Sequence, residues 1–166
     1  MKKLIACENL AGDIKKFPIS ELTFRPSVYG ILIQSNKILL VKQKGGYDFP
    51  GGGINMDEMI GQALKREFFE ETGLKVIIGE AVGCCSNFYL SGYYSGIVKP
   101  FNSIKMYFTC KKLGGRLSRK NFCDYEKKFS IKPEWIELDK IKKIKYQNFS
   151  VDSVKIIEKA MKGLGI

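Results

Sequence analysis

Between Gly52 and Leu74 the chain reads GGINMDEMIGQALKREFFEETGL, and three of its glutamates, Glu67, Glu70 and Glu71, stand at i, i+3 and i+4. On a helix this spacing gathers their carboxylates on one face. Like charges so placed cost an isolated helix about 0.2–0.5 kcal/mol per pair, so the grouping calls for a cation among them. Carboxylate oxygens are hard ligands that match Mg²⁺ or Mn²⁺ rather than zinc or copper, and Mg²⁺ is commonly shared between carboxylates and substrate phosphates. Arg66 stands four residues before Glu70 and can pair with it across one turn. Leu64 and Phe68 lie one turn apart on an adjacent face and predict an apolar anchor that turns the glutamates towards a cleft. Gly73 falls where a left-handed residue closes a helix. Asn55, followed three residues later by Glu58, predicts a capping box at the other end. Glu58 therefore has two readings, cap or metal ligand.

Written as spacing, the stretch is Gly52, five residues, Glu58, seven residues, Arg66-Glu67-Phe68, one residue, Glu70-Glu71, one residue, Gly73-Leu74. It resembles the Nudix box, with no fixed position missing. The resemblance implies an α/β fold, a Nudix-like α/β/α sandwich whose mixed sheet lies between the box helix and a C-terminal helix. It implies hydrolysis of a nucleoside diphosphate linked to another group, with Mg²⁺ as cofactor and Mn²⁺ as the alternative. By the same resemblance Glu67, Glu70 and Glu71 are the metal ligands and catalytic carboxylates, joined by Glu58 and the backbone carbonyl of Gly51, while Arg66 orients. Gly52 and Gly53 belong to the substrate side. The general base is one of the box glutamates or lies on a later loop, where Asp124, Glu126 and Glu134 are available and Glu126 is preferred. A nucleoside triphosphate, in ordinary or oxidised form, is the first substrate expectation; the lead-in is short for the extended N-terminal domain of many ADP-ribose pyrophosphatases, and no coenzyme-A-type signature precedes the box. Dinucleoside polyphosphates and nucleotide sugars stay open. The rival is a Nudix module that binds a nucleotide or RNA end without catalysis, against which the complete carboxylate set argues.

Composition narrows the rest. The 166 residues, 45% hydrophobic, suit one domain, read as residues 27–166 after a loosely packed lead-in at 1–26. No apolar run approaches the roughly 18 residues that span a bilayer. The apolar core of the opening MKKLIAC is likewise shorter than the about 7–15 residues of a signal. Five cysteines without CxxC spacing favour reduced, buried thiols in a cytoplasm. Histidine is absent, which excludes Ser-His-Asp and Cys-His triads and histidine-ligated metals. The net charge of +11, chiefly lysine, favours an anionic partner such as a nucleotide. Nucleic acid is the weaker expectation, since neither an RRM nor a KH signature accompanies the charge and the patch Lys140, Lys142, Lys143 and Lys145 holds no arginine.

Along the chain, Val28–Ile33 and Lys37–Lys42 read as a hairpin turning at Gln34-Ser35-Asn36. Within the lead-in, Ile19, Leu22 and Phe24 suggest a short edge strand or part of a homodimer contact. Pro50 and the three glycines after it leave the backbone bare for close approach of a ligand, or form a tight connection into the helix. Lys75–Tyr89 is β-like, with Cys84 and Cys85 on opposite faces and both expected as structural thiols. Residues 90–102 read as a loop. Tyr89, Tyr93 and Tyr94 are stacking candidates for a base, or aromatic packing at a strand end. A strand at Ile104–Lys112, another at Glu134–Leu138 and a helix near Val151–Met161, with Val151, Val154, Ile157 and Met161 inward, complete the reading.

Overall fold

Ser35 and Asn36 both adopt positive φ, 51° and 59°, and so close the tight turn that the sequence places there. Such left-handed pairs match the twist of the strands they join. The turn connects β3 (Thr23–Gln34) to β4 (Lys37–Gln43). The structure is a computed structural model that describes residues 3–91, 98–120, 130–147 and 151–166. The remaining strands are β1 (Leu4–Glu8), β2 (Ile14–Pro18), β5 (Gly46–Asp48), β6 (Gly51–Gly53), β7 (Leu74–Ser91), β8 (Lys99–Gly115) and β9 (Ser130–Glu137). The helices are α1 (Ile60–Thr72) and α2 (Ser153–Leu164).

The sheet runs β2-β1-β7-β8-β3-β4-β5, with β6 beside β3 and β9 beside β4. It is mixed. β3 pairs in parallel with β8 from Thr23↔Phe101 to Leu32↔Cys110, while β7 and β8 are antiparallel. Side-chain alternation along β3 then splits the core in two. Val28 and Leu32 pack with Ala63, Leu64 and Phe68 of α1 and with Leu74, Val76 and Cys110. Ile31 faces the other way, with Tyr107, Phe49 and Ile156, Ile157 and Ala160 of α2. Burying one such large aliphatic or aromatic side chain is worth about 1.5–3 kcal/mol, so these two clusters clamp a helix onto each face and give the expected α/β sandwich.

Several local expectations are corrected. From Leu4 the lead-in is ordered: β1 and β2 form a hairpin in register from Leu4↔Pro18 to Glu8↔Ile14, and Glu8 bridges to Tyr89 of β7. Ile19–Glu21 is a 3-10 turn rather than a strand, and Phe24 belongs to β3. Residues 99–102, expected in a loop, extend β8 because their backbone pairs with β7. The helix α2 starts at Ser153, capped by Asp152, whose carboxylate accepts from Lys155 N–H. Its buried stripe is Ile156, Ile157 and Ala160, with Val151, Val154 and Met161 packed at the margin. Cys7 and Cys110 are buried, but Cys84 is exposed, since α1 covers its strand face only nearer Val76 and Ile78. No helix among the described residues is long and apolar enough to cross a membrane.

Candidate active site

The short strand β6 sets the floor of the site. It lies antiparallel to β3 with Tyr29↔Gly51, Val28↔Gly52 and Ser27↔Gly53 in register. Successive residues of a strand face opposite ways, so Gly52 turns to the α1 side and its neighbours to the other. A Cβ on Gly52 would stand 2.6 Å from the Glu67 carboxylate. On Gly51, at φ +151°, it would stand 2.2 Å from the Val28 carbonyl oxygen. On Gly53 it would meet the Arg25 guanidinium at 3.2 Å. The glycines thus bring bare backbone against the box carboxylates, as close approach requires. The Gly51 N–H donates to Oε2 of Glu71 at 2.8 Å, which satisfies a carboxylate that is 5% exposed.

Arg66 is the hub of the carboxylates. Its Nε and Nη2 donate to Glu58 at 2.5 and 2.8 Å, its Nη1 to Glu67 at 2.8 Å and Glu70 at 3.1 Å, and its Nη2 also to the Gly53 carbonyl at 3.1 Å. The sequence suggested only the Glu70 pair. Four donated contacts to three carboxylates raise the guanidinium's already high pKa. The Arg66 hydrogen bonds, with the Asn55 N–H behind them, hold the Glu58 carboxyl down to about 2. Glu58 does accept from Asn55 N–H at 3.0 Å as expected, but Asn55 is not the cap. Residues 55–58 close a turn of their own, Glu58 N–H to Asn55 O, and the helix begins after Met59, whose N–H donates to Gln62 Oε1 at 2.8 Å. At the far end Gly73 is left-handed at φ 74° and donates to Phe69 O, as its position predicted. Among the described residues no three His, Cys, Asp or Glu side chains are gathered on a common metal position; the Arg66 guanidinium bonds Glu58, Glu67 and Glu70 instead.

Comparison with known proteins gives the family. Residues 23–158 match the NUDIX domain family. The chain belongs to the Nudix family. It is 31% identical over 142 residues to an 8-oxo-dGTP diphosphatase of Buchnera aphidicola from Schizaphis graminum, covering 81% of this chain and 92% of the relative. It is 37% identical over 82 residues to an ADP-ribose pyrophosphatase of Methanocaldococcus jannaschii, covering 45% of this chain and 47% of that one. The crystal structure of an ADP-ribose pyrophosphatase from Streptococcus suis shares the fold, with a TM-score of 0.61 and 18% identity over 86% of this chain and 92% of that one. As a Nudix chain the protein is a hydrolase acting on pyrophosphate bonds.

The other predicted residues of this Nudix site scatter. Tyr89 sits half-buried on β7, its ring 5.8 Å from the Lys105 ammonium. Glu134 is on β9, where it accepts from the Tyr47 hydroxyl at 3.5 Å and pairs with Lys132, apart from the Arg66 network. Tyr93, Tyr94, Asp124 and Glu126 lie outside the described residues. Residues the sequence did not single out join the Gly51 and Gly53 side of the floor. Arg25 reaches Gly53 and lies over the Phe101 ring at 5.3 Å. Burial pushes the Asp48 carboxyl up to about 6, against the opposing pull of Lys105 and of the Phe49 N–H that it accepts at 2.8 Å. Burial likewise lowers the Lys105 ammonium, with Asp48 resisting. The available signal was the polar pair Ser103 and Lys105 at alternate positions of a strand that otherwise turns Tyr107 inward.

Proposed function

We propose that this chain is an Mg²⁺-dependent pyrophosphohydrolase of a nucleoside triphosphate, in ordinary or oxidised form. The observation that carries the reading is the bare glycine strand β6 set against the Glu67 and Glu71 carboxylates, with Arg66 tying Glu58, Glu67 and Glu70 together. A substrate that lies on backbone suits such a floor, and a polyanion suits cations so placed. The donor chemistry is all oxygen and fits a hard divalent ion. Glu67, Glu70 and Glu71 would hold it, with Glu58 and the Gly51 carbonyl completing the set; Mn²⁺ is the alternative. When bound, the ion supplies charge to polarise a phosphoryl oxygen and to acidify a water.

The chain's own residues do the rest. Arg66 pairs with Glu58, Glu67 and Glu70 and so offsets their mutual repulsion until a cation arrives. Arg25, beside Gly53, offers a second cation to the phosphates. One box glutamate takes the proton of the attacking water, with Glu126 as the loop alternative. Residues 27–166 act as the domain, and the β1/β2 hairpin of 1–26 augments its sheet. Free Cys7, Cys84, Cys85 and Cys110 suit a reducing cytoplasm.

The test is phosphate and pyrophosphate release with Mg²⁺ from nucleoside triphosphates, 8-oxo-dGTP, dinucleoside polyphosphates, ADP-ribose and nucleotide sugars, with wild type and Glu70→Gln. Turnover of triphosphates, lowered by about 10²-fold or more in the variant, is expected. Preference for ADP-ribose or a nucleotide sugar would replace the substrate. Silence across the panel from folded protein would overturn the catalytic reading in favour of a binding module.

A further inference from the structure

The sheet face that α1 covers runs on past the start of the helix. Pairing register lays rows across β7, β8 and β3 there: Ser86 opposite Ile104 opposite Pro26, then Phe88 opposite Asn102 opposite Phe24. Residues facing one another in register share a face. The row before these ends at Val28, which lies in the core beneath α1, and begins at Cys84, which is exposed. Phe24 is 60% exposed and Phe88 41%. The connection from β6 to α1 crosses the same face, since the Ile54 N–H donates to Pro26 O at one end and Gly61 stands beside Ile78 at the other. It carries Met56, fully exposed, and Met59, 77% exposed. Single apolar residues in water need no explanation, but two rings and two methionines bordering one uncovered sheet face form a patch of the kind that marks a contact surface.

Charge decides what the contact is with. The chain carries +11 overall and 27% of its residues are charged, yet neither of the two rows holds a charged residue. The opposite face of the same strands bears Arg25 and Lys105. An acidic partner is drawn to lysines rather than to a neutral face, and two copies of a basic chain repel wherever their cations meet. A face without charge is where a second copy approaches at least cost. Symmetry points the same way. A two-fold contact sets a patch against itself, and the row Phe88, Asn102, Phe24 reads ring, amide, ring from either end. An amide both donates and accepts, so Asn102 is complementary to its own counterpart in a second copy.

We propose that this chain forms a two-fold dimer through the uncovered α1 face, with Phe24, Asn102 and Phe88 at its centre and Met56 and Met59 at its rim. A standard interface takes about 20–30 residues a side, so the contact spreads from the rows over the connection into α1. The dimer does not depend on the hydrolase reading above.

The test is sedimentation of the full chain across about a hundredfold range of protein concentration, beginning near micromolar. Wild type is expected as a dimer that dissociates on dilution, with a thermal midpoint that rises with protein concentration. Phe24→Glu and Phe88→Glu are each expected to raise the dissociation constant by about 10²-fold or more. Asn102→Asp, nearly isosteric, sets two carboxylates against each other and is expected to do the same. Leu113→Glu, at a position 65% exposed near the far end of β8, is expected to leave the dimer intact. The Cys84 thiol is expected to be alkylated more slowly in concentrated wild type than in dilute wild type or in Phe24→Glu, read by mass spectrometry of its peptide. A wild type that stays monomeric across the range, a dimer that survives both phenylalanine changes, or one that Leu113→Glu disrupts equally would overturn the proposal. Should the variants fail to fold, the wild-type dilution series and Cys84 protection decide it alone, and Cys84 labelling that ignores concentration would count against this face.

Discussion

Arg66 grips Glu58 with two parallel hydrogen bonds, Nε to Oε1 at 2.5 Å and Nη2 to Oε2 at 2.8 Å, although eight residues separate them. The fork of the guanidinium matches the carboxylate edge, which an ammonium cannot do. Arg66→Lys is therefore expected to behave as a disruptive change. It should lower kcat by about 10-fold to 10²-fold, because Glu67 and Glu70 lose their common anchor. The check is steady-state kinetics alongside carboxyl NMR, in which Glu58 is expected to titrate nearer its ordinary range.

The same pair predicts an acid limb of stability. A carboxyl depressed in the folded state adds stability above its unfolded value, and that contribution is lost as pH falls through the folded value. For Glu58 the window runs from about 4.5 down to about 2. Wild type should lose stability across that window more steeply than Glu58→Gln, followed by urea denaturation at each pH.

Asp48 has the opposite sign. Its pKa rises from 3.8 to about 6, so the folded state favours the protonated form. The contribution is complete below the unfolded value and is lost as pH rises through 6, by a total of about 3 kcal/mol. Asp48→Asn is expected to remove this loss, making the variant relatively more stable at pH 7 than at pH 4. Parallel pH curves for the two proteins would refute it.

Gly52→Ala tests the floor. The new methyl would meet the Glu67 carboxylate at 2.6 Å, and Glu67 is tied to Arg66 at 2.8 Å, so the side chain must leave its network to yield. Activity is expected to fall by about 10²-fold while stability changes by less than about 1 kcal/mol. Comparing kcat/KM with the thermal midpoint decides it.

Gly30→Ala tests the packing beneath. A Cβ there would meet the Phe68 ring at 2.7 Å and Cys110 Sγ at 2.9 Å, both buried. Overpacking of this kind is expected to cost about 1–3 kcal/mol in urea denaturation, and the fraction that folds should retain much of its turnover.

The parts legible in the sequence are those whose geometry is carried by neighbours along the chain. The i, i+3, i+4 spacing puts Glu67, Glu70 and Glu71 on α1, Gly73 ends that helix, and Ser35-Asn36 turns the β3/β4 hairpin, because each depends on a few consecutive dihedrals. The Arg66–Glu58 grip was missed although both residues lie in the motif, since a turn at 55–58 bends Glu58 back beneath the helix. Lys105, Asp48 and Arg25 left almost no local trace. They come from three strands, and only the register of β3 and β8 brings Arg25 and Lys105 to one face, where burial then shifts Asp48 and Lys105. The sequence by itself determined the helix that bears the carboxylates and the family it belongs to. The tertiary structure decided what faces the glycine floor from the other side, because strand pairing and burial depend on residues far apart in the chain.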